Sequence, residues 1–202
     1  MKQKVLGNLS YGHLFIVSAP AGTGKTTLVR LLTQEFPSVV ESISCTTRLP
    51  RPGEVEGKDY FFLTREAFEE KRKRGDFLES AEVFGHFYGT CKEFVEEQRK
   101  HGKHVILVID TQGAAFLQSQ KIEATYIFIA PPDLDVLKER LLGRKTENQK
   151  ERDERLSWAR KEMQCAGSYN YLIVNSELMA AYEVLKSILI AEEHKVTKQQ
   201  PK

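Results

Sequence analysis

An α/β fold, with a parallel sheet flanked by helices, is predicted from three observations on the 202-residue sequence. Short apolar runs alternate with helix-like segments, as a succession of strand–helix units requires. One junction is a Gly-rich turn, Ala19-Pro20-Ala21-Gly22-Thr23-Gly24-Lys25-Thr26, set between an apolar run and a helical one. Two stretches break the rhythm: residues 45–103, rich in turn residues and aromatics, and residues 143–155, almost wholly polar and arginine-dense. They read as an inserted subdomain and an arginine-rich lid on a core of residues 13–44 and 104–192, all within one domain.

Each element follows from its local pattern. Strands are expected at Leu14–Ser18, Val39–Ser44, Val105–Ile109, Thr125–Ile129 and Tyr171–Val174, short apolar-rich segments that alternate with the helical ones. Helices are expected at Lys25–Glu35, Gln112–Ser119, Leu134–Leu142, Asn148–Ala166 and Glu177–Glu192. The last carries Leu178, Ala181, Tyr182, Leu185, Ile188 and Leu189 at helical spacing. In the insertion, Pro50, Pro52, Gly53 and Gly57 supply turn chemistry, Arg65–Arg74 reads as a short charged helix, and Phe84–Gly89 is a Gly/aromatic cluster. The polar tail from Lys195 is expected to fray.

Bulk properties narrow the function classes. The chain is 41% hydrophobic and 29% charged, with a net charge of +2, too small to make nucleic acid the main partner. No apolar stretch approaches a membrane span, and the first residues lack a signal-peptide core. Cys45, Cys91 and Cys165 lack metal-ligand spacing, so reduced thiols in a cytoplasmic protein are expected.

The Gly-rich turn carries the clearest chemistry. Backbone N–H groups at such a turn converge on an anion, the following helix adds its dipole, and Lys25 reaches terminal phosphates. Ala19, Pro20, Ala21, Gly22, Thr23, Gly24, Lys25, Thr26 and Thr27 are therefore the expected ATP-binding set, with Thr26 offering its hydroxyl to a phosphate-bound Mg2+. The full pattern begins with Gly where Ala19 stands; Pro20 biases Ala19 towards extended backbone with negative φ, where alanine is unstrained.

A second constellation lies in the insertion. Arg48 and Arg51, close together on Pro-rich backbone and followed by Tyr60, can clamp the dianionic phosphate of a monophosphate. Alone, this would read as a solvated basic loop; beside a donor site, it suggests a phosphoryl acceptor. With Ser44-x-Thr-Thr-Arg-x-x-Arg-x-Gly-Glu-x-x-Gly-x-Asp-Tyr60, Tyr88-Gly89-Thr90, Ile109-Asp110-x-Gln112-Gly113 and Arg140-Leu141-x-Gly143-Arg144 added to the phosphate loop, the chain resembles the guanylate kinase family from about Leu14 to Leu189.

The resemblance implies roles for matching positions. Ser44, Glu79 and Thr90 would contact guanine: a carboxylate accepts from N1–H and the exocyclic amine, which adenine cannot offer, and a hydroxyl donates to O6. Arg48, Arg51, Tyr60 and Tyr88 would hold the GMP phosphate, and Asp110 would hold magnesium or touch the acceptor. Lys25, Arg48, Arg140, Arg144 and Arg155 would neutralise the transferring group. The family usually has a second acid where Val108 stands. The implied activity is transfer of phosphate from ATP to GMP, and also dGMP, with Mg2+, in purine nucleotide metabolism; oligomeric state is not implied. A catalytically inactive binding module and a P-loop kinase for another small phosphorylated acceptor remain as alternatives.

Overall fold

A computed structural model describes the backbone of residues 3–142 and 149–196, with side chains except those of 140–142 and 149–155. In chain order the strands are β1 (Leu14–Ser18), β2 (Val39–Glu41), β3 (Cys45–Thr46), β4 (Phe61–Phe62), β5 (Phe77–Val83), β6 (His86–Cys91), β7 (His104–Val108), β8 (Thr125–Ala130) and β9 (Tyr171–Val174). The helices are α1 (Lys25–Glu35), α2 (Arg65–Arg74), α3 (Lys92–Lys100), α4 (Thr111–Ser119), α5 (Leu134–Leu142), α6 (Gln149–Gln164) and α7 (Leu178–Glu193), with a 3-10 turn at Cys165–Ser168.

The main sheet has five parallel strands in the order β2-β7-β1-β8-β9. Phe15 and Val17 of β1 pack with Leu28, Val29 and Leu32 of α1 and with Leu185 and Leu189 of α7. Leu14 and Ile16 point the other way, into a cluster with Val95 of α3 and Ala114 and Leu117 of α4. A strand clad on both faces must be apolar at every position, which explains the unbroken Leu14–Val17 run. Each such side chain contributes on the order of 1.5–3 kcal/mol through burial. Helix α1 stops where Phe36 turns extended ahead of Pro37.

From β1 the chain crosses through α1 to β2 on one side, whereas β7 leads through α4 back across β1 to β8. The direction of winding reverses between the adjacent strands β1 and β7, whose ends are in register at Val17 and Val108. Ligand crevices form at such a reversal, outside the carboxyl ends of the strands.

A smaller four-stranded sheet, ordered β4-β3-β6-β5, lies within the expected insertion. Its core is aromatic: Phe68 of α2 stacks on Phe77 and Phe87, with ring centroids 4.5 and 5.5 Å away. Two sequence expectations change here. The strand expected at Val39–Ser44 ends early: pairing with β7 stops at Glu41, Ser42 N–H closes a last bond to Ile106 O at 2.9 Å, and Cys45 then pairs with Gly89 and Phe61 in the second sheet. Ile43 is the sole apolar residue between Glu41 and Cys45, so little holds that stretch flat on the main sheet. Helix α3 was not expected; Val95 is its buried anchor.

At the end of the main sheet away from the loop, Glu193 of α7 is 7% exposed and accepts four hydrogen bonds, from Gly7 N, Asn8 N, Asn8 Nδ2 and His104 Nε2. His104 Nδ1 accepts from His13 N–H at 3.1 Å, so Nε2 carries the proton that reaches Glu193 at 2.5 Å. Burial alone would raise the Glu193 carboxyl; its donors outweigh that and hold it at about 2. No helix among the described residues is long and apolar enough to cross a membrane.

Candidate active site

The phosphate loop joins β1 to α1. Gly22 and Gly24 adopt φ of +88° and +94°, a backbone conformation that side chains disfavour. Positive φ outside glycine is confined, among the described residues, to Phe84 and Lys121, so Ala19 takes the negative φ expected before Pro20. Thr23 is buried, and its amide and hydroxyl both bond to Pro20 O. Asn175, just past β9, donates to Thr23 O at 2.6 Å and occupies the space a Cβ on Gly24 would need. The loop is thus built by its own turn and by the far edge of the sheet. Lys25 Nζ lies against Ala19 O at 2.6 Å, while Thr26 and Thr27 are exposed in the first turn of α1.

Beside the loop, Asp110 follows β7 and caps α4, its Oδ1 accepting from Gly113 N–H at 2.7 Å. Burial raises its pKa, against the amides of Gly113 and Gln112 and the charge of Lys25. Ser18 O–H reaches Asp110 O at 3.4 Å. Glu162 of α6, 6% exposed, completes this group; burial pushes it up to about 7, opposed by Lys25 and reinforced by Asp110. Val108 packs against the α1/α7 side of the core, so the acid missing there is replaced by an apolar contact.

The second sheet supplies the other half. Arg48 Nη2 pairs with Glu54 Oε1 at 2.8 Å, Nη1 donates to Leu49 O at 2.7 Å, and the guanidinium lies 5.3 Å from the Tyr60 ring centroid. Glu54 Oε2 also accepts from Arg51 N–H at 2.7 Å, so one carboxylate sets both arginine positions. The Arg51 side chain is exposed, and Tyr60 meets Tyr88 edge-on at 6.0 Å. Glu79 of β5 is 4% exposed, and its Oε1 accepts from the buried Thr90 hydroxyl at 2.6 Å. Burial pushes the Glu79 carboxyl up to about 7, against the Thr90 bond and with the Asp110 charge adding to it. Glu79 Oε2 sits where a Cβ on Gly113 would be, 2.6 Å away, so glycine at that turn of α4 makes room for the carboxylate. Glu79, Gly113 and Asp110 are therefore where the two sheets meet. Ser44 lies half-buried just ahead of β3, its carbonyl bonded to Phe61 N–H.

Of the positions singled out in the sequence, Arg144 lies outside the described residues, as do the side chains of Arg140 and Arg155. Three neighbours were not anticipated. Glu54 stood in the Arg48–Tyr60 motif without a role. Asn175 ends an apolar strand at the carboxyl edge of the sheet, a signal that could have found it. Glu162 looks in sequence like any charged helix residue, and only its burial distinguishes it.

A strand, phosphate loop and helix at a switch point of a parallel sheet define a P-loop α/β protein. The chain belongs to the guanylate kinase family, whose model, described as "Guanylate kinase", matches residues 11–192. It is 59% identical over 188 residues to the guanylate kinase of Protochlamydia amoebophila (strain UWE25), covering 93% of this chain and 94% of that protein. To that of Chlamydia felis (strain Fe/C-56) it is 48% identical over 183 residues, covering 90% and 89%. Its fold is similar to the crystal structure of guanylate kinase from Anaplasma phagocytophilum, with a TM-score of 0.75 and 35% identity over 92% of this chain and 88% of that one.

The family implies magnesium. No group of three or more His, Cys, Asp or Glu among the described residues could by itself hold a metal ion. The hard oxygens of Thr26 and Asp110 still fit the ion, because magnesium carried on phosphates needs only one or two protein oxygens and keeps several waters.

Proposed function

We propose that this protein transfers the γ-phosphoryl group of ATP to GMP, with dGMP as a second acceptor, giving ADP and the nucleoside diphosphate. The observation that carries the reading is Glu79: a buried carboxylate with one hydroxyl donor, held where the acceptor sheet meets the start of α4 beside Asp110. Its remaining capacity matches the N1–H and exocyclic amine of guanine. Adenine would leave the carboxylate unpaired, a loss of several kcal/mol at a buried polar site. Since Thr90 already donates to Glu79, Ser44 is the hydroxyl left for guanine O6.

Arg48, Arg51, Tyr60 and Tyr88 hold the acceptor phosphate, with Glu54 keeping Arg48 aimed before GMP arrives. The backbone N–H groups of the phosphate loop and Lys25 hold the ATP phosphates, and Thr26 and Asp110 would hold magnesium or its waters. When bound, magnesium would neutralise phosphate charge that otherwise repels the acceptor. A GMP phosphate oxygen attacks the γ-phosphorus in line as the bond to the β–γ bridging oxygen breaks. Lys25 and the arginines Arg140, Arg144 and Arg155 would offset the charge on the transferring group, and the arginine-rich segment 143–155, read from the sequence as a lid, would keep out water that otherwise takes the phosphate. In this reading residues 45–103 act as the acceptor unit and the remaining sheet as the donor unit. The partners are free nucleotides rather than nucleic acid, in the cytoplasm, where the free thiols of Cys45, Cys91 and Cys165 stay reduced.

The test is ADP release from ATP and Mg2+ with each monophosphate in turn. GMP should exceed AMP in kcat/KM by roughly 10³-fold or more, the discrimination available to a site built around hydrogen bonds. Comparable use of AMP would overturn the guanine assignment. GMP binding without transfer to any acceptor would establish the inactive binding module instead.

A further inference from the structure

Helix α6 comes back to the phosphate loop directly after residues 143–148. Ala159, 2% exposed, packs with Leu137 and with Ala21 of the loop and fixes this part of the helix against it. One turn further, Glu162 is buried and makes no hydrogen bond or ion pair among the described residues, yet it lies close enough to Lys25 and Asp110 to feel both charges. Glu193 spends its oxygens on four protein donors, whereas the Glu162 oxygens have none and are not among the fully enclosed polar atoms, so they still touch solvent. A carboxylate so placed, on the helix packed against the phosphate loop, keeps its acceptor capacity for donors that arrive with the nucleotide.

Candidates for that donor are few. Lys25 is directed to Ala19 O in the free protein and to phosphate oxygens in the proposed reaction. Asp110 already spends one oxygen capping α4. Phosphate-bound magnesium keeps several waters whose hydrogens need acceptors, and carboxylates are acceptor-only groups. We propose that Glu162 is a positioning residue of the donor site, accepting hydrogen bonds from water ligands of the magnesium that ATP carries. This rests on the kinase reading above. It also ties magnesium order to the helix that follows the lid, so the ion is held in its working position when α6 is docked on the loop.

The experiment uses the full chain with Glu162→Gln and Glu162→Asp. Three quantities are measured: the melting temperature of the free protein, the Mg2+ dependence of ADP binding by calorimetry, and the Mg2+ dependence of transfer with saturating ATP and GMP. Glu162→Gln should melt at or above wild type and need about tenfold more Mg2+ for half-maximal ADP binding and transfer, the usual scale for losing an outer partner of a metal. Its KM for GMP should stay within about twofold, because the acceptor site is untouched. Glu162→Asp, which keeps the charge on a shorter arm, should fall between the two. An unchanged Mg2+ dependence of ADP binding in Glu162→Gln overturns the proposal, as does a lower melting temperature with a binding loss independent of Mg2+. Should wild type bind Mg·ADP but phosphorylate no monophosphate, the kinase reading falls while calorimetry still decides the role of Glu162.

Discussion

Glu193 and Glu79 are buried near opposite ends of β7, one against His104 at its start, the other near Asp110 just past its end. Their exposures are 7% and 4%, yet their surroundings push them in opposite directions. Glu193 collects four donors and is held at about 2; Glu79 has the Thr90 hydroxyl and is pushed up to about 7. Where a buried acid only ties elements together, the fold supplies its partners. Where, as proposed for Glu79, it reads a ligand, the fold supplies fewer and bears the cost. The pH dependences differ in sign. Glu193, depressed from 4.5, contributes stability that is present above about 4.5 and is lost as pH falls towards 2. Glu79, raised from 4.5, favours the folded state while protonated and costs stability as pH rises from 4.5 to about 7.

Four substitutions break or sharpen this contrast. The largest effect is expected from Lys25→Ala at the cleft end. Transfer should fall by roughly 10³-fold or more, about 4 kcal/mol of transition-state stabilisation, because a charge on the β/γ-phosphates is removed. The melting temperature should not change, and a near-wild-type rate would refute the phosphate-loop assignment. Glu193→Gln should act the other way round. It loses about 3 kcal/mol of stability at pH 7, following from a carboxyl held near 2 instead of 4.5, and kcat below the melting transition should be retained. Denaturant melts at pH 7 and pH 3 check it: the deficit should shrink at the lower pH, and a pH-independent deficit would show that packing, not charge, is at stake.

Glu79→Gln comes next. Losing one acceptor to guanine should lower kcat/KM for GMP by about 2 kcal/mol and narrow the ratio of GMP to AMP. The free protein should be as stable as wild type at pH 8 or more so, since a buried charge with one donor is gone. In wild type, the KM for GMP should rise as pH drops below about 7, where Glu79 takes up a proton. A flat GMP profile from pH 6 to 8 would mean that guanine binds without the carboxylate. The smallest effect belongs to Gly113→Ala. Alanine suits the helix, but its Cβ would meet Glu79 Oε2 at 2.6 Å and displace it. We expect about a tenfold loss in kcat/KM for GMP with ATP affinity unchanged, the pattern of a mispositioned reader. Equal losses in both substrates would locate the damage in α4 and its Asp110 cap.

The sequence by itself determined the main sheet, its flanking helices and the phosphate loop. Strands β1 and β9 and helices α1, α2 and α5 fall on their expected bounds, because apolar period, Gly/Pro punctuation and the loop's glycines act over adjacent residues. The motifs also named Thr90, Arg48 and Asp110, and the family resemblance added Glu79; of these the fold brings Glu79, Thr90 and Asp110 to the junction of the two sheets. What only the tertiary structure decided is which polar groups are buried and with whom. That Asn175 braces Thr23 and that Glu162 is buried near Lys25 depends on contacts between residues far apart in the chain, while Thr90 spending its hydroxyl on Glu79 and Glu54 aiming Arg48 depend on how a hairpin and a loop turn particular side chains towards each other. The same holds for the strand that leaves the main sheet at Ser42 and for α3, whose short polar sequence becomes a helix with one buried anchor, Val95. A charged residue in a local pattern looks the same whether water or a packed helix faces it, so the energy that distinguishes Glu162 from its neighbours exists only once α6 lies on the phosphate loop.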